Sequence, residues 1–342
     1  MRLIVFVISE TTRTRKGKEL FQAPLLKSAP HYFEKTVPQQ YIINQDTFSL
    51  QNKEGSIILK TYQPDILLAE ASFEIADIFS DEVLTFKEEV ITYCREYLKK
   101  KGGKDVDESS EEYSVFVISQ YPGDPEQFLT NKARLVGLLK SEKLPLDPLE
   151  IDYTLTSQIK YAKNDMVIVD WDGALIFDPE GDFESTLELL ELANLQLLRY
   201  RILDKELDLR SERVVKLLEG APIRTRSLFR AAEVSQAMKD IMLVRSRSIS
   251  DFQALEREIK LIGDWYSARL YELTAKKFKL DDWRKTIRDK LDAMEDVYTI
   301  ASENFTISWE RRGRIIELFG WYVLLIGWLV LLILDFYFYK VK

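Results

Sequence analysis

The pentapeptide VFVIS occurs twice in the chain, at Val5–Ser9 and again at Val115–Ser119. Both copies are short β-branched and aromatic runs that end in a polar residue, a pattern typical of β-strands. After each copy the chain reaches an aspartate, an apolar run with acidic residues and a helical pattern, in DILLAEASFEIADIF (65–79) and DMVIVDWDGALIF (165–177). The repetition predicts a duplicated unit of strand, hairpin and helix, with chance identity over five residues as the alternative.

The pattern along the rest of the chain predicts an α+β fold with a helical stem. The hydrophilic stretch Lys99–Tyr113 has the glycine and charge content of a linker and separates the two copies. After Asp182 the strand signals nearly vanish and helical periodicity takes over. We therefore expect a first α/β repeat at 1–101, a linker at 102–112, a second repeat at 113–181, a stem at 182–314 and a transmembrane helix at 315–339.

Three apolar stripes with helical spacing run through the predicted stem, at Leu190–Leu218, Phe252–Leu273 and Ile287–Phe305. Each stripe is compatible with an intramolecular helix bundle and with an oligomeric coiled coil. The first two favour the bundle, because antiparallel helices joined by short loops need no partner. The third has no Gly or Pro until Gly313, so one helix is expected to continue from the stem into the bilayer.

The C-terminal segment has the length and composition of a transmembrane helix. Residues Leu318–Leu334 contain no charge, and the apolar character extends over 315–339. A helix of 25 residues is roughly 37 Å long, enough to cross a hydrocarbon core of about 30 Å. Aromatic and basic residues flank the span as interfacial anchors: Trp309, Arg311, Arg312, Arg314, Trp321 and Tyr322.

Glycine recurs every seven residues along this segment, at Gly313, Gly320 and Gly327. The spacing places the three glycines on one narrow helix face, where the missing side chains allow a second helix to approach closely. The stripe is a candidate packing face between membrane helices, and mere tolerance of glycine in such helices is the alternative.

Composition narrows the chemistry that the chain can perform. Its 48 basic and 56 acidic residues give a net charge of −8, which argues against a general nucleic-acid partner. One cysteine (Cys94) and one histidine (His31) exclude a disulfide framework and a zinc site built from Cys and His. Cys94 is expected in the core and His31 in a loop, and no cofactor is predicted.

The segment VIVDWDGALIFD (167–178) is the motif most suggestive of catalysis. It is similar to the first motif of haloacid-dehalogenase-like phosphatases, which implies Asp170 as nucleophile and Asp172 as acid. Such chemistry also needs Mg²⁺, a lysine that neutralises the phospho-intermediate and a second acidic pair from later parallel strands. Helical patterns follow instead. The favoured interpretation is an exposed hairpin in which Asp172 and Gly173 supply the positive φ of a tight turn.

A locally basic segment follows Pro222, with Arg224, Arg226, Arg230, Lys239, Arg245 and Arg247. A solvated helix face paired with acidic residues is the favoured interpretation. Binding of a lipid head group is the functional alternative.

The order of pieces from Asp165 to Leu334 resembles the required-for-meiotic-nuclear-division family of membrane-anchored proteins. The resemblance is carried by DMVIVDWDGALIFDPEGDFE before a long helical region, and by GDWYSARLYELTAKKFKLDDWRKTIRDKLDAMEDVY before the span. The acidic turn with Trp171 and the membrane approach WERRGRIIELFGWY depart from that family's pattern. The resemblance implies a membrane-bound organiser without catalytic residues.

Together these features predict a single-pass structural or scaffolding protein of the plasma or inner membrane. The basic residues before the span favour a cytoplasmic N-terminal body, and Met1–Ser9 is expected to be a strand and no signal peptide. The expected partners are the lipid bilayer and a second copy of the chain or another protein. The alternatives are a metal-dependent phosphohydrolase using Asp170 and Asp172, and a subunit of a membrane transport assembly.

Overall fold

The computed structural model describes residues 1–12, 19–20, 40–62, 65–219 and 265–340, with five isolated positions between 236 and 250. Side chains at 213–215, 217–219, 297–298, 300–316 and 335–340 lie outside this description. The predicted loop residue His31 falls outside it too, as does most of the basic segment after Pro222.

A mixed β-sheet forms the centre of the described part of the fold, and with the helices it confirms the predicted α+β class. The described strands are β1 (Arg2–Glu10), β2 (Glu19–Leu20), β3 (Gln40–Leu50), β4 (Lys53–Tyr62), β5 (Ile66–Glu74), β6 (Ser110–Ile118), β7 (Gln158–Ile159), β8 (Met166–Val169) and β9 (Gly173–Phe177). Their order across the sheet is β2-β3-β4-β5-β1-β6-β9-β8-β7. Among these strands only β6 and β9 run parallel, and every other neighbouring pair is antiparallel.

The described helices include several short ones and two long ones. They are α1 (Glu82–Lys101), a 3₁₀ helix (Pro125–Asn131), α2 (Lys132–Lys140), α3 (Pro148–Leu155), α4 (Glu184–Glu219), α5 (Trp265–Lys277) and α6 (Leu280–Lys340). Local signals explain several ends. Gly102 ends α1 in the left-handed region at φ 95°, and the Asp147 side chain accepts a hydrogen bond from the Leu149 N–H at the start of α3.

The central strands β1 and β5 are buried on both faces of the sheet, which explains why they are nearly continuous apolar runs. On one face, alternate residues such as Leu3, Val5 and Val7 of β1 join a core with α1 and α2. The intervening residues of β1 are buried as well. Side-chain hydrogen bonds from β4 to α4 show that α4 covers this second face.

The chain divides into two compact units. The first, called the head below, comprises Met1–Glu206 and the described part of Ser246–Ile287. The second comprises the described parts of Leu207–Arg245 and Arg288–Lys342, and includes the C-terminal end of α4 and most of α6.

The strands that carry the two VFVIS copies are neighbours in the head, but the copies are offset along them. Val5–Ser9 lies opposite Ser110–Ser114, and Val115–Val117 lies opposite Arg2–Ile4. Strands β1 and β6 are antiparallel neighbours in which Val5 pairs with Ser114, so residues on either side of the predicted linker share one sheet. The segment 65–79 forms one strand, β5, rather than the predicted hairpin. The hairpin predicted at 165–177 is present as β8 and β9. Whether the two segments arose by duplication stays a prediction.

The predicted stem stripes fall on helices where the structure describes them. The first stripe lies in α4 and the third in α6, while most of the second lies outside the described residues. The expected continuation of the third stripe into the apolar segment is present, because α6 runs from Leu280 to Lys340. The choice between a bundle and a coiled coil stays a prediction.

Candidate functional site

The hairpin that carries Asp170 and Asp172 matches the predicted exposed turn only in part: Trp171 and Asp172 are exposed, but Asp170 is buried. The Asp170 N–H donates to the Gly173 carbonyl at 2.9 Å, and only 5% of Asp170 is exposed. Neither Asp172 nor Gly173 has the expected positive φ. Glycine is needed at 173 for another reason: a Cβ there would lie 2.7 Å from the Ser114 carbonyl oxygen of the parallel neighbour β6.

The buried carboxylate of Asp170 lies between two lysine ammonium groups. Lys140, the last residue of α2, places its Nζ 3.1 Å from Asp170 Oδ2, and Lys277, the last residue of α5, places its Nζ 3.1 Å from Oδ1. The Tyr113 hydroxyl donates to the Asp170 carbonyl at 2.9 Å. This group of Asp170, Lys140 and Lys277, the Asp170 cluster, therefore ties two helix ends to the hairpin.

The lysines of the Asp170 cluster also contact a second carboxylate and an aromatic ring, and further aromatic side chains lie beside the hairpin. Lys140 also pairs with Glu150 at 2.8 Å, and Lys277 lies over the Tyr153 ring at 5.4 Å. Trp171, 45% exposed, contacts Phe278 edge to face. Over the described ranges, no group of three or more His, Cys, Asp or Glu side chains is arranged to hold a metal ion. The second acidic pair that phosphatase chemistry requires is thus not found beside Asp170 in that part of the chain.

A second charged group is buried between the sheet and α4. Lys60 of β4 pairs with Glu70 of β5 at 2.6 Å and with Glu191 of α4 at 2.9 Å. The Tyr62 hydroxyl donates to Glu191 Oε2 at 2.7 Å. All four residues of this Glu191 cluster are buried, and Glu191 is fully inaccessible. Its ion pairs join α4 to two central strands.

The charges of the Glu191 cluster are unequal, because two carboxylates face one ammonium group. Burial raises the pKa of Glu191 to about 8, although Lys60 and the Tyr62 hydrogen bond act in the opposite direction. Burial acts to lower the pKa of Lys60, but the charges of Glu191 and Glu70 outweigh it and leave that pKa raised. Burial also raises the pKa of Glu188, whose carboxylate accepts a hydrogen bond from Gln40 at 2.7 Å. Burial therefore makes Glu191 retain its proton to a higher pH than an ordinary glutamic acid does.

The apolar segment of α6 is the third feature of functional interest. One helix stretch, Glu317–Leu334, is long and apolar enough to cross a membrane, and none of it is buried. A Cβ added at Gly320 or Gly327 would meet no atom within 4 Å. The predicted anchors Trp321 and Tyr322 are exposed. The structure does not describe the side-chain surroundings of the other predicted residues, Trp309, Arg311, Arg312, Gly313 and Arg314.

Sequence analysis placed Cys94 correctly but missed the charged clusters. Cys94 is buried, and burial raises the pKa of its thiol. Lys60 and Glu70 interrupt the apolar strands SIILKTY and ILLAEASF. A charged residue at a strand position that faces the core was the signal in the sequence that could have predicted a buried ion pair. No local signal identifies Glu191 or Lys277 as partners, because they are 131 and 107 residues away from Lys60 and Asp170.

Residues 2–184 match a family model described as uncharacterized protein MJ0711, N-terminal domain. The chain is also similar to uncharacterized protein MJ0711 of Methanocaldococcus jannaschii, with 30% identity over 276 residues that cover 80% of each chain. This alignment is longer than the family domain, so the similarity extends beyond residue 184. No solved structure matches the chain. The resemblance to the required-for-meiotic-nuclear-division family stays a prediction that these matches do not test.

Proposed function

This chain belongs to the family of the MJ0711 N-terminal domain, and we propose that it is a single-pass, membrane-anchored structural or scaffolding protein. In this proposal the apolar segment of α6 crosses the plasma or inner membrane. The head stays on the cytoplasmic side, where it self-associates or binds a protein partner.

The exposed apolar segment of α6 carries the proposal. Consecutive residues such as Val323, Leu324 and Leu325 point in different directions around the helix, and all are more than half exposed. A partner groove covers one stripe of a helix, whereas lipid covers every face. Eighteen residues rise about 27 Å, which is close to the thickness of a hydrocarbon core. A bilayer would therefore cover the exposed apolar side chains of this segment on all sides, whereas a protein groove would cover only one side.

The charges that flank the segment support a cytoplasmic head. Arg311, Arg312 and Arg314 precede the span, while Lys340 and Lys342 follow it. Basic residues near a span stay preferentially on the cytoplasmic side. The N-terminal side of the span has one more of these basic residues than the C-terminal side, which favours a cytoplasmic head.

The buried charges of the head support a structural role for Asp170. Its two lysine partners hold the ends of α2 and α5, so the carboxylate is engaged in ion pairs. A nucleophile for phosphoryl transfer needs Mg²⁺ and free carboxylate oxygens. We therefore assign Asp170 to holding the head together and give it no catalytic task.

Membrane association is tested by expressing the full chain beside a truncated chain that lacks Ile315–Lys342. The full chain should stay with membranes after a high-salt wash, dissolve in mild detergent and float with liposomes in a density gradient. Flotation distinguishes a membrane-inserted chain from an aggregated one, because aggregates sediment together with membranes but do not float with liposomes. The truncated chain should be soluble and should retain the circular dichroism of a folded α+β head. A full chain in the soluble fraction, or a truncated chain that remains on washed membranes, contradicts the proposal.

Orientation is tested by protease protection in sealed vesicles. The head should be cleaved in inside-out vesicles and protected in right-side-out vesicles. The reverse pattern contradicts a cytoplasmic head.

Self-association through the glycine stripe is tested by replacing Gly320 and Gly327 together with isoleucine. The added side chains should block close helix contact and reduce the oligomer mass in detergent. The double variant Leu325→Ile and Leu332→Ile is the matched control, because these residues have the same spacing on another helix face. An oligomer unchanged by the glycine substitutions assigns self-association to the cytoplasmic part of the chain.

A further inference from the structure

Lys87 of α1 is a buried lysine whose ammonium group contacts a hydroxyl. Only 3% of the residue is exposed, and its Nζ is hydrogen-bonded to Ser141 Oγ. Within the described ranges, no carboxylate forms an ion pair with it; the acidic groups that act on it from a distance are Asp172, Glu112 and Glu88. This differs from Lys60, Lys140 and Lys277, which all pair with buried carboxylates.

Burial makes the amine of Lys87 easier to deprotonate than that of an ordinary lysine. Burial is the largest influence and lowers the pKa of Lys87 below the ordinary lysine value, although the three distant carboxylates oppose this. A neutral amine has a free electron pair and accepts a proton from a hydroxyl. The same contact between Lys87 Nζ and Ser141 Oγ then has the serine as donor.

Ser141 ends α2 and is partly exposed. It follows α2 as its C-cap residue and lies in the left-handed region at φ 55° and ψ 32°. This conformation is common at helix C-caps, and here the Ser141 and Glu142 N–H groups donate to the Leu138 and Gly137 carbonyls at 3.3 and 2.9 Å. Ser141 is half-buried, whereas Lys87 is buried.

The loop after Ser141 can hold a negatively charged oxygen. The backbone N–H groups of Lys143 and Leu144 both donate to Glu142 Oε1, at 2.8 and 2.9 Å. Two convergent amide donors are the arrangement that stabilises an oxyanion during acyl transfer. A substrate that displaces the Glu142 carboxylate meets both donors.

We propose that Lys87 and Ser141 form a serine–lysine catalytic dyad that hydrolyses carboxylic esters on the head. Serine–lysine pairs carry out the role of the serine–histidine pair in acyl transfer, with the lysine amine as general base. This activity is separate from membrane anchoring.

The reaction proceeds in two balanced steps. Lys87 takes the hydroxyl proton while Ser141 Oγ forms a bond to the ester carbonyl carbon. The bond from that carbon to the leaving alkoxide breaks, and the Lys87 ammonium returns the proton to the alkoxide. Water then attacks the acyl-serine with Lys87 again as base, and releases a carboxylic acid and free Ser141.

The test treats the full chain, purified in mild detergent, with an alkyl fluorophosphonate and maps the labelled residue by peptide mass spectrometry. Ser141 should be labelled, and Ser141→Ala should remove the label. Lys87→Met should slow labelling at least ~100-fold, because general-base catalysis contributes 10² to 10⁴ in rate. Lys100→Met is the matched control: Lys100 belongs to the same helix α1 as Lys87 but is exposed, and its loss should leave labelling unchanged.

The pH dependence separates catalysis from a structural role. Labelling of Ser141 should increase with pH around a midpoint below 10.4, the ordinary pKa of lysine. If Lys87→Met loses its circular dichroism, competitive acetylation of lysines in the wild-type chain across pH replaces the variant. Failure to label Ser141 in the folded wild-type chain, equal labelling rates in Lys87→Met, or an ordinary pKa for Lys87 each overturns the proposal.

Discussion

Replacing Glu191 with glutamine should flatten the pH dependence of head stability. Burial between α4 and the sheet raises the pKa of Glu191 from 4.5 to about 8. Between these values the unfolded chain has lost the Glu191 proton, while the folded head retains it. The folded head binds more protons over this interval, so its stability falls as pH rises and the loss is complete above about pH 8.

The magnitude follows from the size of the shift. Each pH unit within the interval costs up to about 1.4 kcal/mol, which accumulates to at most about 5 kcal/mol between pH 4.5 and 8. Glutamine keeps the shape and an oxygen that accepts hydrogen bonds from Lys60 or Tyr62, so Glu191→Gln should cost only about 1 kcal/mol at pH 5. Burial raises the pKa of Glu188 and Glu111 too, so a smaller slope of the same sign should remain in the variant.

Lys60→Met is the opposite perturbation of the same cluster. It removes the cation and leaves Glu70 and Glu191 buried without it. Loss of one partner of a buried ion pair costs about 3–5 kcal/mol. Because protonation neutralises the two carboxylates, this loss should be larger at pH 8 than at pH 5, and the slope should be steeper than in the wild-type chain.

The measurement is urea unfolding of the full chain in mild detergent at pH 5, 6, 7 and 8, followed by circular dichroism and tryptophan fluorescence. The midpoint urea concentration of the head transition is compared among the wild-type chain and the two variants. Equal slopes of midpoint against pH in the wild-type chain and in Glu191→Gln refute the assignment of a retained proton to Glu191.

Two further substitutions test the hairpin of the head. Asp170→Asn should destabilise the head by about 3 kcal/mol, because it leaves the partly buried ammonium groups of Lys140 and Lys277 without their shared carboxylate; a change below 1 kcal/mol in urea unfolding argues against this ion-pair role. Gly173→Ala should cost about 1–3 kcal/mol, because its Cβ would lie 2.7 Å from the Ser114 carbonyl oxygen, and an unchanged thermal midpoint contradicts that close approach.

The features that sequence analysis predicted correctly depend on local pattern. The apolar segment of α6 is recognisable because its length and composition alone determine whether it can span a bilayer. The strands at Val5–Ser9 and 115–118 are recognisable because β-branched and aromatic runs fit a buried sheet. The α+β class and the hairpin at 165–177 follow from the same short-range signals.

The features that only the tertiary structure decided depend on contacts between distant residues. The two VFVIS strands became antiparallel neighbours, a pairing that the periodicity of either strand cannot specify. Asp170 is buried because the ends of α2 and α5 bring lysines to it, whereas its local sequence is typical of an exposed turn.

The same separation in sequence applies to the two contacts whose lysine or glutamate has a shifted pKa. Lys60 and Glu191 are 131 residues apart, and Lys87 and Ser141 are 54 apart. The sequence by itself determined the residue types, the strands and the apolar helix, since these depend on neighbours along the chain. Tertiary structure decided which charges lose their water and which partners they meet, because desolvation and Coulomb interaction depend on distances in space.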